Sequence, residues 1–304
     1  MDNKKRYIPV AVIVTGIIVI TGLFIWYQKK ISDNWKKDGN AYRITQYGTE
    51  EDRQMMFYTI ESSDGGFIII DGGLKSNEQA VRDVIKKHGN HVDAWILTHP
   101  HPDHIGAFNA IMQNPGKISV DMVYDVYIDL EEYRSVAREW DEIDVYEEYL
   151  LMAFDGVFNV THLNRNDTIE LFGLKIDCLN AYDDEVKKRT DAICNNGSMM
   201  LKIQGDTESF LFCSDVEDEM EDYLMEQYGD LLDCDYIQMS HHGNWGFSEK
   251  FYDRLSPKAA FFDGPASLYE ESELYDGYKM MNLMKNKGAT LYFYRTAPNV
   301  IILK

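Results

Sequence analysis

The order of apolar and polar residues divides the chain into an N-terminal hydrophobic segment and a longer region of mixed pattern. Residues Tyr7–Tyr27 are almost wholly apolar and carry no charged side chain. A helix of about 20 such residues is long enough to cross a bilayer. Basic residues precede the segment, and aromatic residues stand at its edges, as is typical of interfacial anchors. The pattern predicts a cytoplasmic tail over 1–6, a transmembrane helix over 7–27 and a polar tether over 28–40.

A cleaved signal peptide is the alternative interpretation of this segment. Its apolar core would be shorter and followed by small residues, whereas this one ends in Phe24–Lys30, which is a poor cleavage site. We therefore favour an uncleaved, single-pass anchor in the cell membrane. Because an N-terminal anchor usually exports the domain on its C-terminal side, we expect the rest of the chain outside the cell, although the lysines between Lys29 and Lys37 oppose that orientation.

From residue 41 onward, runs with the period of a strand are interspersed with runs of helical period. Residues 55–60 alternate like a half-buried strand, and 67–70 are continuously apolar like a buried one. Helical spacing extends over 76–87 and over 131–154. Further strands are predicted at 42–45, 92–97, 121–128, 168–171, 174–178, 198–203, 209–213, 236–239, 259–262, 290–294 and 300–303. Residues 41–304 are thus expected to form one α/β domain, in which two sheets pack together with helices outside.

The densest group of candidate ligands follows the strand at 92–97. His99, His101, Asp103 and His104 stand within six residues, before a predicted helix that starts at Ile105. Imidazole nitrogens and carboxylate oxygens are ligands that suit zinc and similar divalent ions. A loop between a strand and a helix can direct these side chains to one point, so the sequence predicts a metal site here.

Other predicted strands also end in polar side chains that can bind metals. Asp71 follows the apolar run 67–70, Asp215 follows the strand at 209–213, and His241 and His242 follow the strand at 236–239. Each alone is more often a turn or cap residue. Together with the histidine-rich loop, they indicate a metal site along one edge of a sheet.

The pattern His-x-His-x-Asp-His after a buried strand resembles the signature of the metallo-β-lactamase superfamily. Asn196-x-Ser198, Leu211–Asp215 and Ser240–Gly243 further resemble the metallo-β-lactamase domain of competence (DNA-internalisation) proteins. The resemblance covers the chain from Tyr42 to the C-terminus. It implies a four-layer αββα sandwich and two divalent metal ions, with zinc favoured and manganese as the alternative.

The resemblance also implies a role for each residue of the histidine-rich loop. His99 and His101 match the ligands of the first metal, whereas Asp103 and His104 match those of the second. Asp215 matches the carboxylate that bridges both metals. Asp103 would in addition orient the hydroxide that a bridged pair of metals forms at neutral pH.

Four further residues complete the implied site. Asp71 matches an aspartate that orients the ligands from behind. His241 matches the last histidine ligand, and His242 either substitutes for it or donates a proton to the leaving group. Asn196 or Ser198 occupies the region of the usual third histidine ligand of the first metal, which has no clear counterpart in this chain.

A second departure concerns the last turn, where Gly264–Tyr269 lacks the His-Pro pair common among the competence proteins. The substrate contacts of that branch therefore do not carry over to this chain by position.

Charge limits the partners of the protein. The formal net charge is −21, and no cluster of basic residues outside the N-terminal region would form a basic groove. So acidic a surface repels phosphate backbones, and nucleic acid is therefore not expected as a partner. A small-molecule or cell-wall-derived substrate is expected instead.

Residues 121–155 are both acidic and aromatic, and they allow two interpretations. One is a lid that holds a cationic substrate group by cation–π contact. The favoured one is a solvated helix with an apolar inner face.

The four cysteines, Cys178, Cys194, Cys213 and Cys234, form no C-x-x-C pair. Two disulfides are possible in an exported domain, but buried free thiols are the favoured interpretation.

These observations together predict a membrane-anchored, metal-dependent hydrolase that uses a metal-bound hydroxide, with a phosphodiester as the favoured substrate. A lactone, thioester or β-lactam hydrolase of the same fold is the alternative, because the metal site would serve any of these reactions. A non-catalytic surface protein that binds a ligand is a third, disfavoured hypothesis.

Overall fold

The computed structural model describes residues 35–37, 39–295 and 297–304. The predicted tail, the transmembrane helix over 7–27 and most of the tether lie outside the described residues. Within the described ranges, no helix is both long enough and apolar enough to cross a membrane. The described part of the tether forms a single 3₁₀ turn, Trp35–Lys37.

Fourteen strands form two sheets of seven within these ranges. The first sheet has the order β14-β1-β2-β3-β4-β5-β6. Its strands are β1 (Tyr42–Gln46), β2 (Phe57–Ser62), β3 (Phe67–Asp71), β4 (His91–Leu97), β5 (Ser119–Asp125), β6 (Val160–His162) and β14 (Asn299–Leu303). The last strand of the chain therefore closes the sheet that the first strand begins, pairing antiparallel with β1.

The second sheet has the order β13-β12-β11-β10-β9-β8-β7. Its strands are β7 (Thr168–Leu171), β8 (Leu174–Asn180), β9 (Met200–Gln204), β10 (Ser209–Phe212), β11 (Tyr236–Gln238), β12 (Ala259–Phe262) and β13 (Thr290–Phe293). Each sheet thus combines an antiparallel half with a half of parallel strands, β3 to β6 in the first and β10 to β13 in the second.

Nine α-helices lie between these strands in the described ranges. They are α1 (Glu78–Lys87), α2 (Pro102–Gln113), α3 (Leu130–Val136), α4 (Ile143–Phe154), α5 (Asp184–Lys187), α6 (Ile193–Asn196), α7 (Glu221–Tyr228), α8 (Glu249–Tyr252) and α9 (Gly277–Asn286). Helix α2 begins with Pro102, whose fixed φ and missing N–H suit the first turn. The helix starts three residues earlier than predicted, so Asp103 and His104 lie in its first turn rather than in the loop.

Alternation along the strands shows how the layers pack. In β3, Ile68 and Ile70 join a buried cluster with Phe210 and Phe212 of the second sheet. Ile69 points the other way, into a cluster that includes the helix residues Val81, Ile85 and Phe108. Strands that are buried on both faces require a layer on each side. The predicted α/β sandwich of two sheets is therefore confirmed.

The predicted helix over 131–154 is broken in the structure. It divides into α3, a 3₁₀ turn at Glu139–Asp141 and α4. Ala137 is extended and Glu142 is left-handed, with a φ of 43°. The continuous helical spacing therefore did not predict the break, which carries the side chain of Asp141 to His101.

The arrangement brings the ends of four strands to one place. Parallel strands present their carboxyl ends at the same edge of a sheet, and here β3 and β4 of one sheet meet β10 and β11 of the other. A backbone hydrogen bond from Met199 N to Thr98 O, of 2.9 Å, joins the two edges. The candidate ligands follow these four strands.

Candidate metal centre

The carboxylate of Asp215 lies at the middle of the candidate site. Its Oδ2 atom is 3.2 Å from His242 Nε2, 3.4 Å from His104 Nε2 and 3.8 Å from His99 Nε2. Its Oδ1 atom is buried without a hydrogen-bond partner in the described structure. One carboxylate among several imidazole nitrogens is the arrangement expected of a ligand that bridges two metals.

Asp103, His104 and His242 form one group whose ligand atoms lie within 4.8 Å of one another. His104 Nδ1 donates to Asp71 Oδ2 at 2.8 Å, which leaves the lone pair of Nε2 free. This Nε2 atom is buried and has no hydrogen-bond partner in the described residues. Buried polar atoms are almost always satisfied, so an unpartnered nitrogen and an unpartnered oxygen of Asp215 fit a bound cation.

A second group contains His99, His101 and Cys194. The His99 Nε2 and His101 Nδ1 atoms are 3.0 Å apart. Two nitrogens bound tetrahedrally to one zinc ion are separated by about 3.3 Å. The geometry of this pair is thus already close to that of a metal site.

Asp141 fixes the orientation of His101. The Nε2 atom of His101 donates to Asp141 Oδ1 at 2.8 Å, and both side chains are buried. This hydrogen bond holds the proton on Nε2 and leaves Nδ1, the nitrogen that faces His99, free to bind a metal. Asp141 was not predicted from the sequence, because it lies inside a stretch whose spacing predicts a continuous helix.

Asp71 organises the histidine-rich loop from behind. Its Oδ1 accepts from Thr98 N, and its Oδ2 accepts from Thr98 Oγ1 and His104 Nδ1, each at 2.8 Å. The carboxylate is fully buried. The contacts are those of a residue that orients ligands, which is the role that the resemblance implies for it.

The backbone is strained where strands lead into the site. Asp71, Ser214, His241 and His242 all have φ between 48° and 60°. Left-handed conformations cost non-glycine residues about 1–3 kcal/mol each and cluster at functional sites. The strain turns the chain sharply after β3, β10 and β11, which directs the side chains towards one another.

The two adjacent histidines after β11 differ in position. His242 is buried, and its Nε2 atom is 3.2 Å from both Asp103 Oδ2 and Asp215 Oδ2. His241 Nε2 is 3.9 Å from Asp215 Oδ2, and its Nδ1 is 3.7 Å from Glu217 Oε1. His242 is therefore the nearer of the two to both carboxylates, whereas the sequence predicts His241 as the ligand, with His242 as its substitute or as a proton donor.

Asn196 and Ser198 contact the loop after β10 rather than the imidazoles. Ser198 Oγ accepts from the backbone N–H of Asp215 at 3.2 Å. Asn196 Oδ1 accepts from the backbone N–H of Glu217 at 3.0 Å. These bonds fix the position of Asp215, so both residues support the site from outside the ligand groups.

His99 and Asp215 are in the charge states that bind metals. Burial, reinforced by His104, holds the pKa of His99 well below its ordinary value, so its imidazole is neutral. Burial alone would raise the pKa of Asp215, but His242 and His104 outweigh it and keep that pKa well below the usual range. A neutral imidazole and an ionised carboxylate are the forms in which these residues bind metals. Burial alone would lower the pKa values of His104 and His242, but Asp215 outweighs it and raises both, that of His242 to about 10, so these two imidazoles must release a proton when an ion binds.

A cavity of about 650 Å³ opens above Asp103 and Asp215. Two arginines, Arg53 and Arg138, line it, and so do the indole rings of Trp140 and Trp245. The other residues that line it are Gln54, Leu74, His101, Pro102, Glu142, Asn195, Glu217, His241 and His242. The arginines were not predicted from the sequence, because isolated basic residues in a strongly acidic chain give no local signal.

The aromatic residues of the stretch 121–155 are divided by the fold. Tyr133, Tyr146 and Tyr149 are buried in the core, whereas Trp140 is 65% exposed and lines the cavity. The inner face of this stretch is therefore apolar, and its contribution to the cavity comes from the turn between α3 and α4. All four cysteines are buried free thiols.

Comparison with known proteins supports this description of the fold. Residues 53–167 match the sequence profile of the metallo-beta-lactamase superfamily. The metallo-beta-lactamase fold protein YhfI from Bacillus subtilis is 12% identical, with a TM-score of 0.50, over 86% of this chain and 99% of that one. CmlA, a diiron β-hydroxylase from Streptomyces venezuelae, is 12% identical, with a TM-score of 0.52, over 85% of this chain and 54% of that one.

Such low identities show the fold alone, and this chain spans about half the length of CmlA. No curated protein sequence matches the chain significantly. The profile match includes Asp71 and the whole histidine-rich loop. Residues 53–167 thus resemble the metallo-β-lactamase superfamily in sequence, and the chain shares its two-sheet fold with these two structures.

Proposed function

We propose that this chain is a metal-dependent hydrolase that binds two divalent ions around Asp215, with a phosphodiester as its favoured substrate. The observation that carries the proposal is the convergence of two ligand groups on this one carboxylate, at the floor of a large cavity. Nitrogen and oxygen donors in such a site favour zinc, with manganese as the alternative. We also propose that the chain is related to the metallo-β-lactamase domain of the competence proteins, on the motifs Asn196-x-Ser198, Leu211–Asp215 and Ser240–Gly243.

Two ions bound there would supply a hydroxide at neutral pH and would polarise the bond under attack. The residues of the chain prepare that chemistry. Asp71 and Asp141 hold the protons of His104 and His101 on the nitrogens that face away from the cluster. Asp103 borders the cavity, where its carboxylate can accept the proton of the attacking water.

We assign the proton donor for the leaving group to His241. Both histidines line the cavity, but the His241 side chain is 17% exposed, whereas that of His242 is 1% exposed and lies against Asp103 and Asp215. Glu217 Oε1, at 3.7 Å from His241 Nδ1, can hold the ring in place. Burial lowers the pKa of His241 below its ordinary value, which favours release of a proton from the charged ring. His242 would then serve as the last ligand of the second metal.

The walls of the cavity favour an anionic substrate. Arg53 and Arg138 line it, in a chain whose net charge is −21. The guanidinium group matches the geometry of phosphate oxygens, so two arginines beside the metals favour a phosphodiester over a neutral lactone, thioester or β-lactam. Trp140 and Trp245 offer flat apolar faces for the rest of the substrate. The acidic surface disfavours a nucleic acid as that substrate.

A substrate panel tests the function. Detergent-solubilised full-length protein would be assayed on bis-p-nitrophenyl phosphate, a phosphorylcholine ester, a lactone, a thioester and a β-lactam. We expect hydrolysis of the phosphodiesters, reduced by about 10³-fold or more in His101→Ala and Asp103→Ala, because several kcal/mol of metal-dependent stabilisation are lost. His162→Ala, which removes a histidine paired with Asp125 outside the ligand groups, should keep full activity.

The other outcomes of the panel would change the proposed substrate, the proposed function or the assigned site. Turnover of a neutral ester alone would replace the phosphodiester with one of the alternative substrates. Bound metal without turnover of any compound would favour the ligand-binding protein. Equal activity in His101→Ala and the parent would show that the assigned site is wrong.

We also propose that residues 7–27 anchor the protein in the cell membrane, with the domain outside the cell. Support comes from the apolar, uncharged pattern of this segment. The protein should stay with membranes after an alkaline carbonate wash, and a protease added to intact cells should digest it. Release by the wash would contradict the anchor, and digestion only after lysis would reverse the orientation. A variant that lacks residues 1–30 should become soluble.

A further inference from the structure

We propose that Cys194 is the third ligand of the first metal group, together with His99 and His101. The inference rests on the proposed metal site. It supplies the third ligand of the first metal, for which the sequence has no clear histidine. The Cys194 side chain is buried, and its Sγ atom lies within 4.8 Å of the ligand nitrogens of both histidines. Sulfur and nitrogen atoms bound tetrahedrally to one zinc ion are about 3.6 Å apart. A small side-chain adjustment therefore closes the group around an ion.

The backbone of helix α6 fixes the position of Cys194. This short helix ends at Asn196, two residues before Ser198, so Cys194 lies in the stretch that leads into β9. Asn180 Nδ2 donates to the carbonyl oxygens of Asn196 and Ser198, at 2.8 and 2.7 Å. Asn195 Nδ2 donates to Glu217 Oε1 at 2.7 Å. These bonds tie the helix both to the second sheet and to the loop that carries Asp215.

A second buried group supports a thiolate at this place. The hydroxyl of Tyr133 is buried and has no hydrogen-bond partner among the described residues, and Tyr133 and Cys194 line the same small cavity. An O–H donor beside a metal-bound sulfur stabilises its negative charge. Asp141, from the turn that follows Tyr133 and α3, contacts His101 in the same region. The segment α3 and its following turn thus contact two of the three proposed ligands.

The four cysteines differ in whether they lie near other ligand atoms. All four cysteines are buried among apolar residues, but Cys178, Cys213 and Cys234 belong to no ligand group in the described part of the chain. Binding at Cys194 forms a metal–sulfur bond and releases the thiol proton to solvent. A soft thiolate favours zinc over manganese. Besides the shared Asp215, the first ion would therefore be held by sulfur and nitrogen, whereas the second would have carboxylate and imidazole ligands only.

Cobalt(II) substitution tests the ligand without relying on activity. Full-length protein would be stripped with a chelator and reloaded with cobalt, which shows a near-ultraviolet charge-transfer band when a thiolate binds it. We expect two cobalt ions per chain and this band in the parent. Cys194→Ala should lose the band and one ion, and Cys194→His should lose the band but keep two ions. Cys234→Ala, which changes a buried cysteine elsewhere, should match the parent.

The cobalt experiment distinguishes a wrong assignment of Cys194 from the absence of the whole metal site. A parent that binds two cobalt ions without the charge-transfer band overturns the role of Cys194 and leaves the metal site intact. A Cys194→Ala variant that keeps the band also overturns it. A parent that binds no cobalt overturns both proposals. If Cys194→Ala does not fold, as judged by circular dichroism, the parent and Cys194→His still decide the outcome.

Discussion

Replacing Asp215 with asparagine is expected to remove metal from both groups and to lower hydrolysis by about 10³-fold or more. The carboxylate is within 4 Å of four imidazoles, those of His99, His104, His241 and His242. Asparagine has the same shape but no charge, and it brings an NH₂ group that cannot bind a cation. Metal content per chain and kcat/KM on the best substrate of the panel measure the effect.

The asparagine variant should still fold, because the backbone N–H of Asp215 keeps its bond to Ser198 Oγ. Asp125→Asn is a matched control, since Asp125 is also a buried carboxylate at a strand end but accepts from Tyr149 and His162 instead. The control should retain both ions. An Asp215→Asn protein that still binds two ions per chain would contradict the bridging role and would require another residue to join the two groups.

The strands of both sheets, the histidine-rich loop and Asp215 were predictable because a short stretch of sequence marks each of them. A strand buried on both faces needs a continuous apolar run, and Phe67–Asp71 shows one that ends in a carboxylate. The four polar residues of the histidine-rich loop stand within six positions of the sequence, so their spacing alone indicated that they bind one metal site. Asp215 was found in the same way, as the polar end of an apolar strand.

The remaining parts of the site depend on tertiary contacts that leave no local pattern. Asp141 reaches His101 only because the chain breaks between α3 and α4, where Glu142 adopts a left-handed conformation. Hydrophobic spacing continues through that break, so periodicity predicts one helix. Cys194 stands in a four-residue helix without apolar period, and its partners are about a hundred residues away in sequence.

The order of roles at His241 and His242 shows a different limit. The two residues are adjacent and of the same type, so composition and spacing treat them alike. Both have positive φ, at 48° and 60°, and this irregular turn decides which ring is buried against Asp215 and which is partly exposed. Backbone conformation at a strained turn follows from the surrounding packing rather than from the sequence of the turn itself.

Asp71→Ala is expected to destabilise the metal-free protein by about 3–5 kcal/mol, because it removes the buried acceptor of several donors at once. Three buried donors would lose their acceptor: the backbone N–H and the hydroxyl of Thr98, and the Nδ1–H of His104. Residue 71 also has a φ of 55°, which alanine tolerates less well than aspartate. Urea unfolding in the presence of a chelator measures the loss without a contribution from bound metal.

Two further variants separate stability from ligand orientation. Asp93→Ala removes one hydrogen bond, from the backbone N–H of Phe67 in the adjacent strand, and a partly exposed contact with His91, and it should cost about 1 kcal/mol. Asp71→Asn can still accept from Thr98 N, but its NH₂ group would face His104 Nδ1 and move the imidazole proton to Nε2. Because Nε2 is the nitrogen that faces Asp215, metal affinity should fall by about 10–100-fold even where the fold survives. Unchanged metal affinity in Asp71→Asn would show that His104 does not bind through Nε2.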